Sequence, residues 1–139
     1  MHDWLPSLLV WVVAVTAYDD PAQLPEIIPI SQQQLIETLC HGENCPALAY
    51  YDPGSQTIFH DQRLDFDADL NARSFLVHEL VHYLQDKQGL IDISSMSCEQ
   101  RMLLEREAYL VQGKFLHQHG LPARQITLAL SILEQVCDE

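Results

Sequence analysis

Hydrophobic and polar positions along the chain fall into separable patterns. Residues 5–17 are apolar throughout except for Ser7 and Thr16. Residues 19–30 carry Pro21, Pro25 and Pro29 and read as an extended lead-in. Ser31 suits the N-cap of a short helix through Cys40, with Ile30, Leu35, Ile36 and Leu39 expected to face inward. Residues 47–51 and 56–60 are strand-like runs around Asp52-Pro53-Gly54-Ser55, a hairpin signal. An Asp-rich connection, 61–69, comes next. Leu76, Leu80 and Leu84 with Val77 and Val81 form the core stripe of a long helix. It begins near Asp69 or Asn71 and stops by Gly89. A second long helix is predicted over about 97–117, ended by Gly120 and Pro122, and a closing amphipathic helix over 123–136. The order helix, hairpin, three helices predicts an α+β domain that is mostly helical, with no internal repeat.

Length and charge narrow the function classes. The chain has 139 residues, room for one domain, and 47% hydrophobic residues, enough for a core. Seven Lys and Arg against 20 Asp and Glu give a net charge of −13. A chain this acidic repels phosphate backbones and anionic lipid, so nucleic acid is excluded as an expected partner.

At 1.5 Å per residue the apolar run 5–17 spans about 20 Å, short of a bilayer core of about 30 Å, so no stable membrane span is expected. The run ends in Val15-Thr16-Ala17, a small-residue pattern of the kind signal peptidase reads, before the polar Tyr18-Asp19-Asp20. Residues 1–17 are therefore expected to be an export signal cleaved near Ala17, and 18–139 the single domain. The other reading of the same run is an amino-terminal helix or strand buried in the core. Four cysteines fit an exported domain. The favoured pairs are Cys40–Cys45, closing a tight loop, and Cys98–Cys137, tying the start of one helix to the end of the chain. No CxxC pair occurs, which disfavours a four-cysteine zinc site.

The chemistry lies in His78-Glu79-Leu80-Val81-His82, an H-E-x-x-H motif on the first long helix. Residues four apart differ by about 40° around a helix, so both imidazoles point to one side and can reach one Zn2+. Glu79, about 100° from His78, sits beside such an ion and can act as general base. A catalytic zinc site takes a third protein ligand. Glu105 and Glu107 on the second long helix are both candidates, with 22 residues between His82 and Glu105. Glu105 shares its side with Met102, Ala108, Tyr109 and Gln112, whereas Glu107 lies among Leu103, Leu104, Leu110 and Val111.

The run His78-Glu79-Leu80-Val81-His82-Tyr83-Leu84-Gln85, followed by Glu105-Arg106-Glu107-Ala108-Tyr109, resembles the gluzincin metallopeptidases, especially their minimal forms. The resemblance covers roughly 47–116 and implies a minimal zincin-like core, with a β-hairpin followed by the HExxH helix and a second ligand-bearing helix. Aligning Ala108 with the family's Ala makes Glu105 the third ligand. Tyr109 then replaces an Asp or Asn that supports a ligating His in that family. The metzincin extension is absent.

The resemblance implies a zinc metallopeptidase with Glu79 as catalytic base, His78, His82 and Glu105 as metal ligands, and a peptide or protein substrate. Tyr83, Tyr109, His60, His117 and His119 are candidate oxyanion donors, with His60 favoured by its place at the end of the hairpin. The alternative is an exported zinc-binding interaction module without turnover. Glu79 argues against that alternative, because metal binding alone needs the two His and not the Glu between them.

Overall fold

A computed structural model describes residues 3–40 and 48–137. The elements run α1 (Leu5–Thr16), β1 (Glu26–Ile30), α2 (Gln32–Cys40), β2 (Ala49–Asp52), β3 (Thr57–Asp61), α3 (Leu70–Lys87), α4 (Cys98–Gln118) and α5 (Arg124–Val136). The fold is α+β, with the predicted hairpin followed by three helices.

Helix α3 starts where its sequence supplies a cap. The Asp69 carboxylate accepts from the Asn71 and Ala72 amides at 2.9 and 3.4 Å, satisfying donors that the helix start leaves free. Just past its end, Gly89 holds φ at +75°, a conformation that costs glycine little. Leu76, Val77, Leu80, Val81 and Leu84 are fully buried. Helix α4 opens with a capping box between Ser97 and Gln100 and packs along α3. Ala108, fully buried on α4, is small enough for the two helices to approach closely.

The sheet has the order β1-β3-β2. Strand β2 runs antiparallel to β3, with Ala49 opposite His60 and Asp52 opposite Thr57. The hairpin turn carries its left-handed residue at Gln56, φ +54°, rather than at Gly54. Strand β1 is parallel to β3, from Glu26 opposite Thr57 to Ile30 opposite Asp61. It falls within the segment expected to be an extended lead-in. Proline inside a strand is confined to edges, and Pro29 lies on an edge strand here.

The apolar run 5–17 forms α1, and its Leu5, Leu8, Leu9 and Val12 join the same core cluster as Leu80, Val81 and Phe115. Trp11 packs edge-on against Phe115 and donates from Nε1 to Gln118 at 3.0 Å. Among the described residues no helix is long and apolar enough to cross a membrane. A Cys98–Cys137 disulfide joins the start of α4 to the end of α5. The expected Cys40–Cys45 pair lies outside the described residues.

Candidate metal centre

Helices α3 and α4 bring three of the expected residues together. His78 Nε2 lies 3.0 Å from Glu105 Oε1, and His82 Nε2 lies 3.1 Å from Glu105 Oε2. The two imidazole centroids are 4.9 Å apart, as their one-turn spacing requires. One ligand atom from each of His78, His82 and Glu105 lies within 4.8 Å of the other two.

The donor set suits zinc. A tetrahedral ion with bonds of about 2.1 Å separates its ligand atoms by about 3.4 Å, within reach of this spacing. His82 Nε2 adds a specific observation. It is buried, and its contact with Glu105 lacks hydrogen-bond geometry, so this ring nitrogen has no hydrogen-bond partner. A buried nitrogen without a hydrogen bond, aimed at a shared carboxylate, is the arrangement expected of a metal ligand.

Each imidazole is held from behind through Nδ1. His78 Nδ1 is 3.1 Å from Gln112 Oε1, and His82 Nδ1 is 2.8 Å from Gln85 Oε1. The Tyr109 ring packs against His78, with centroids 4.4 Å apart. Glu107 is occupied elsewhere: it accepts from Gln85 Nε2 at 3.0 Å and from the Tyr18 hydroxyl.

Electrostatics distinguish the two nearby carboxylates. Burial pushes the Glu79 carboxyl up, and Glu105 adds to this, against the opposing pull of His78, His82 and a hydrogen bond from the Tyr51 amide. Burial alone would also raise Glu105, but its contacts with the two imidazoles outweigh it and hold this carboxyl well below the usual range. Burial would lower His82. The Glu105 contact and the charges of Glu79 and Glu105 overcome that and push it up to about 9. Burial, then the same two carboxylates, raise Tyr109.

The site opens into a cleft lined by Leu48, Ala49, Phe75, His78, Glu79, Tyr109 and Gln112. Of the five candidate oxyanion donors, Tyr109 is the one that lines it among the described residues. His60, the favoured candidate, is buried in central strand β3, against Phe66 and with Nδ1 2.9 Å from the Asp61 carbonyl. Tyr83 is buried and donates to the Gln23 carbonyl at 2.9 Å, and His119 packs at a tilt against Phe115.

The sequence pattern assigns no supporting role to Gln85, Gln112 or Tyr18. Two of them had a signal: Gln85 lies three residues after His82, and Gln112 two helical turns after Glu105, each on the ligand's own side. Tyr18, 89 residues from Glu107, had none.

No curated protein and no solved structure matches this chain. The family model described as a domain of unknown function, DUF6647, matches residues 1–139, and the chain belongs to that family.

Proposed function

We propose that this domain is a zinc metallopeptidase of minimal zincin-like architecture that hydrolyses peptide bonds. The observation that carries the reading is the convergence of both Nε2 atoms on Glu105 at 3.0 and 3.1 Å, with Glu79 beside them in an open cleft. His78, His82 and Glu105 would hold the ion. When bound there, zinc supplies Lewis acidity that polarises a scissile carbonyl and makes water more acidic.

Glu79 takes the proton of the attacking water and returns it to the leaving amine. Its raised affinity for a proton suits a group that must both accept and release one near neutral pH. The Tyr109 hydroxyl, on the cleft wall, donates to the oxygen that gains charge as the carbonyl becomes tetrahedral. Strand β2 ends the sheet beside the cleft, where Leu48 and Ala49 line it, and an extended peptide laid along that edge would pass the metal.

The Cys98–Cys137 disulfide supports a working place outside the reducing cytosol. The burial of α1 supports its retention in the folded domain, in preference to cleavage after Ala17.

The test is chelator-sensitive cleavage of a peptide library by purified, zinc-loaded protein, alongside Glu79→Gln. The variant is expected to keep its zinc and fold and to lose hydrolysis by about 10²–10⁴-fold, the usual contribution of a positioned base. Zinc binding with no cleavage by the unmodified chain would leave an interaction module. No zinc binding at all would remove the metal reading.

A further inference from the structure

We propose that Gln85 and Gln112 are positioning residues that fix the tautomer and ring orientation of His82 and His78, so that both Nε2 lone pairs face the metal. This rests on the metal reading of the site.

Both amides are buried, with exposures of 0% and 1%. An amide in such a place is costly unless its donors and acceptor are used. Their far ends are anchored first. Gln85 Nε2 donates to the Leu104 carbonyl and to the Glu107 carboxylate, each at 3.0 Å. Gln112 Nε2 donates to Ser74 Oγ at 3.2 Å, and the Ser74 hydroxyl is itself spent on the Asn71 carbonyl at 2.7 Å.

Those anchors set the direction of each amide. If Gln85 were flipped, its carbonyl would face two oxygen acceptors, the Leu104 carbonyl and Glu107, with no donor between them. A flipped Gln112 would face a hydroxyl whose proton is already engaged. The carbonyl of each amide therefore faces a ring nitrogen, at 2.8 Å for His82 and 3.1 Å for His78. An acceptor there demands N–H at Nδ1, and a neutral imidazole protonated at Nδ1 presents its lone pair at Nε2. The amides also orient the rings without charge. Two carboxylates in their place would add two negative charges beside Glu79 and Glu105.

Measuring Zn2+ affinity by competition with a chromogenic chelator tests this, with thermal melting of each zinc-loaded variant as a check on the fold. Gln85→Leu and Gln112→Leu remove the acceptor at similar size, and each is expected to weaken zinc about 10–100-fold, the usual cost of losing an outer-shell partner. A second pair stays decisive if the leucine variants fail to fold. Gln112→Glu keeps an acceptor towards His78, and a charged carboxylate, unlike a neutral amide oxygen, is a strong enough acceptor to draw the Ser74 hydroxyl from the Asn71 carbonyl, so affinity should hold within about threefold. Gln85→Glu sets a carboxylate against Leu104 O and Glu107, so it should lose at least tenfold. Folded leucine variants with unchanged affinity, or an equal response of the two glutamate variants, would overturn the proposal while wild-type zinc binding stands. A wild-type chain that binds no zinc would instead remove the reading on which it rests.

Discussion

Positions 105 and 107 lie about 200° apart around α4, so one carboxylate faces the histidine pair and the other cannot. Glu105 takes that face, while Glu107 sits between Gln85 and Tyr18. Glu105→Ala should strip the site of stable zinc, because two histidines alone make an incomplete set. Glu107→Ala should leave zinc bound, weakened by at most about tenfold through a loosened Gln85. Metal analysis after dialysis reads both variants, and the opposite order would move the ligand to Glu107. The HExxH triad was legible in the sequence because both spacings lie within one helix, where geometry is local. The choice between Glu105 and Glu107 was not legible from their apolar neighbours. Glu107 does sit on an apolar side, yet what draws it inward is a tyrosine hydroxyl 89 residues away.

Helix α5 buries little of its own side-chain surface. Its Ile126 is buried, while Leu128 and Ile132 are more than half exposed. It packs along α4, closely at Gly113, where a Cβ would meet Ile126 at 3.3 Å. The Cys98–Cys137 link, closing a separation of 39 residues, adds a covalent tie to the α4–α5 packing. Replacing both cysteines by serine should lower stability by about 4 kcal/mol on the chain-entropy account, read as a lower denaturant midpoint. An unchanged midpoint would mean that packing alone holds α5. Element boundaries for α3, α4 and α5 were legible because Asp69, Ser97, Gly89 and Pro122 are local stop and start signals. Strand β1 was not, since Glu26-Ile27-Ile28-Pro29-Ile30 becomes a strand only by pairing in parallel with β3, a contact across some thirty residues that no local pattern announces.

At the scale of the whole molecule, α1 joins the amino-terminal segment to the core. Its four buried side chains each contribute about 1.5–3 kcal/mol, a sum comparable with the net stability of an ordinary domain. A chain starting at Tyr18 should therefore lose its cooperative thermal transition. A chain of that length that melts like the full one would show that residues 1–17 serve as a leader alone. The sequence left this open because a short apolar run looks the same whether it is bound for a translocon or for a core. In the folded chain Trp11 of this run meets Phe115 and Gln118, partners more than a hundred residues away.

The opposed carboxylates of α4 have a mechanical consequence. Rolling the helix about its axis in either direction would draw Glu105 away from the histidines and at the same time strain Glu107 against Gln85 and Tyr18. Helix α4 is thus locked in rotation from both flanks. The distance between the imidazole pair and the third donor is set by helix packing rather than by whichever ion arrives. A cage of fixed span favours small ions with short bonds, and a larger one such as calcium, which needs six or more oxygens at about 2.3–2.6 Å, finds neither the donors nor the compliance.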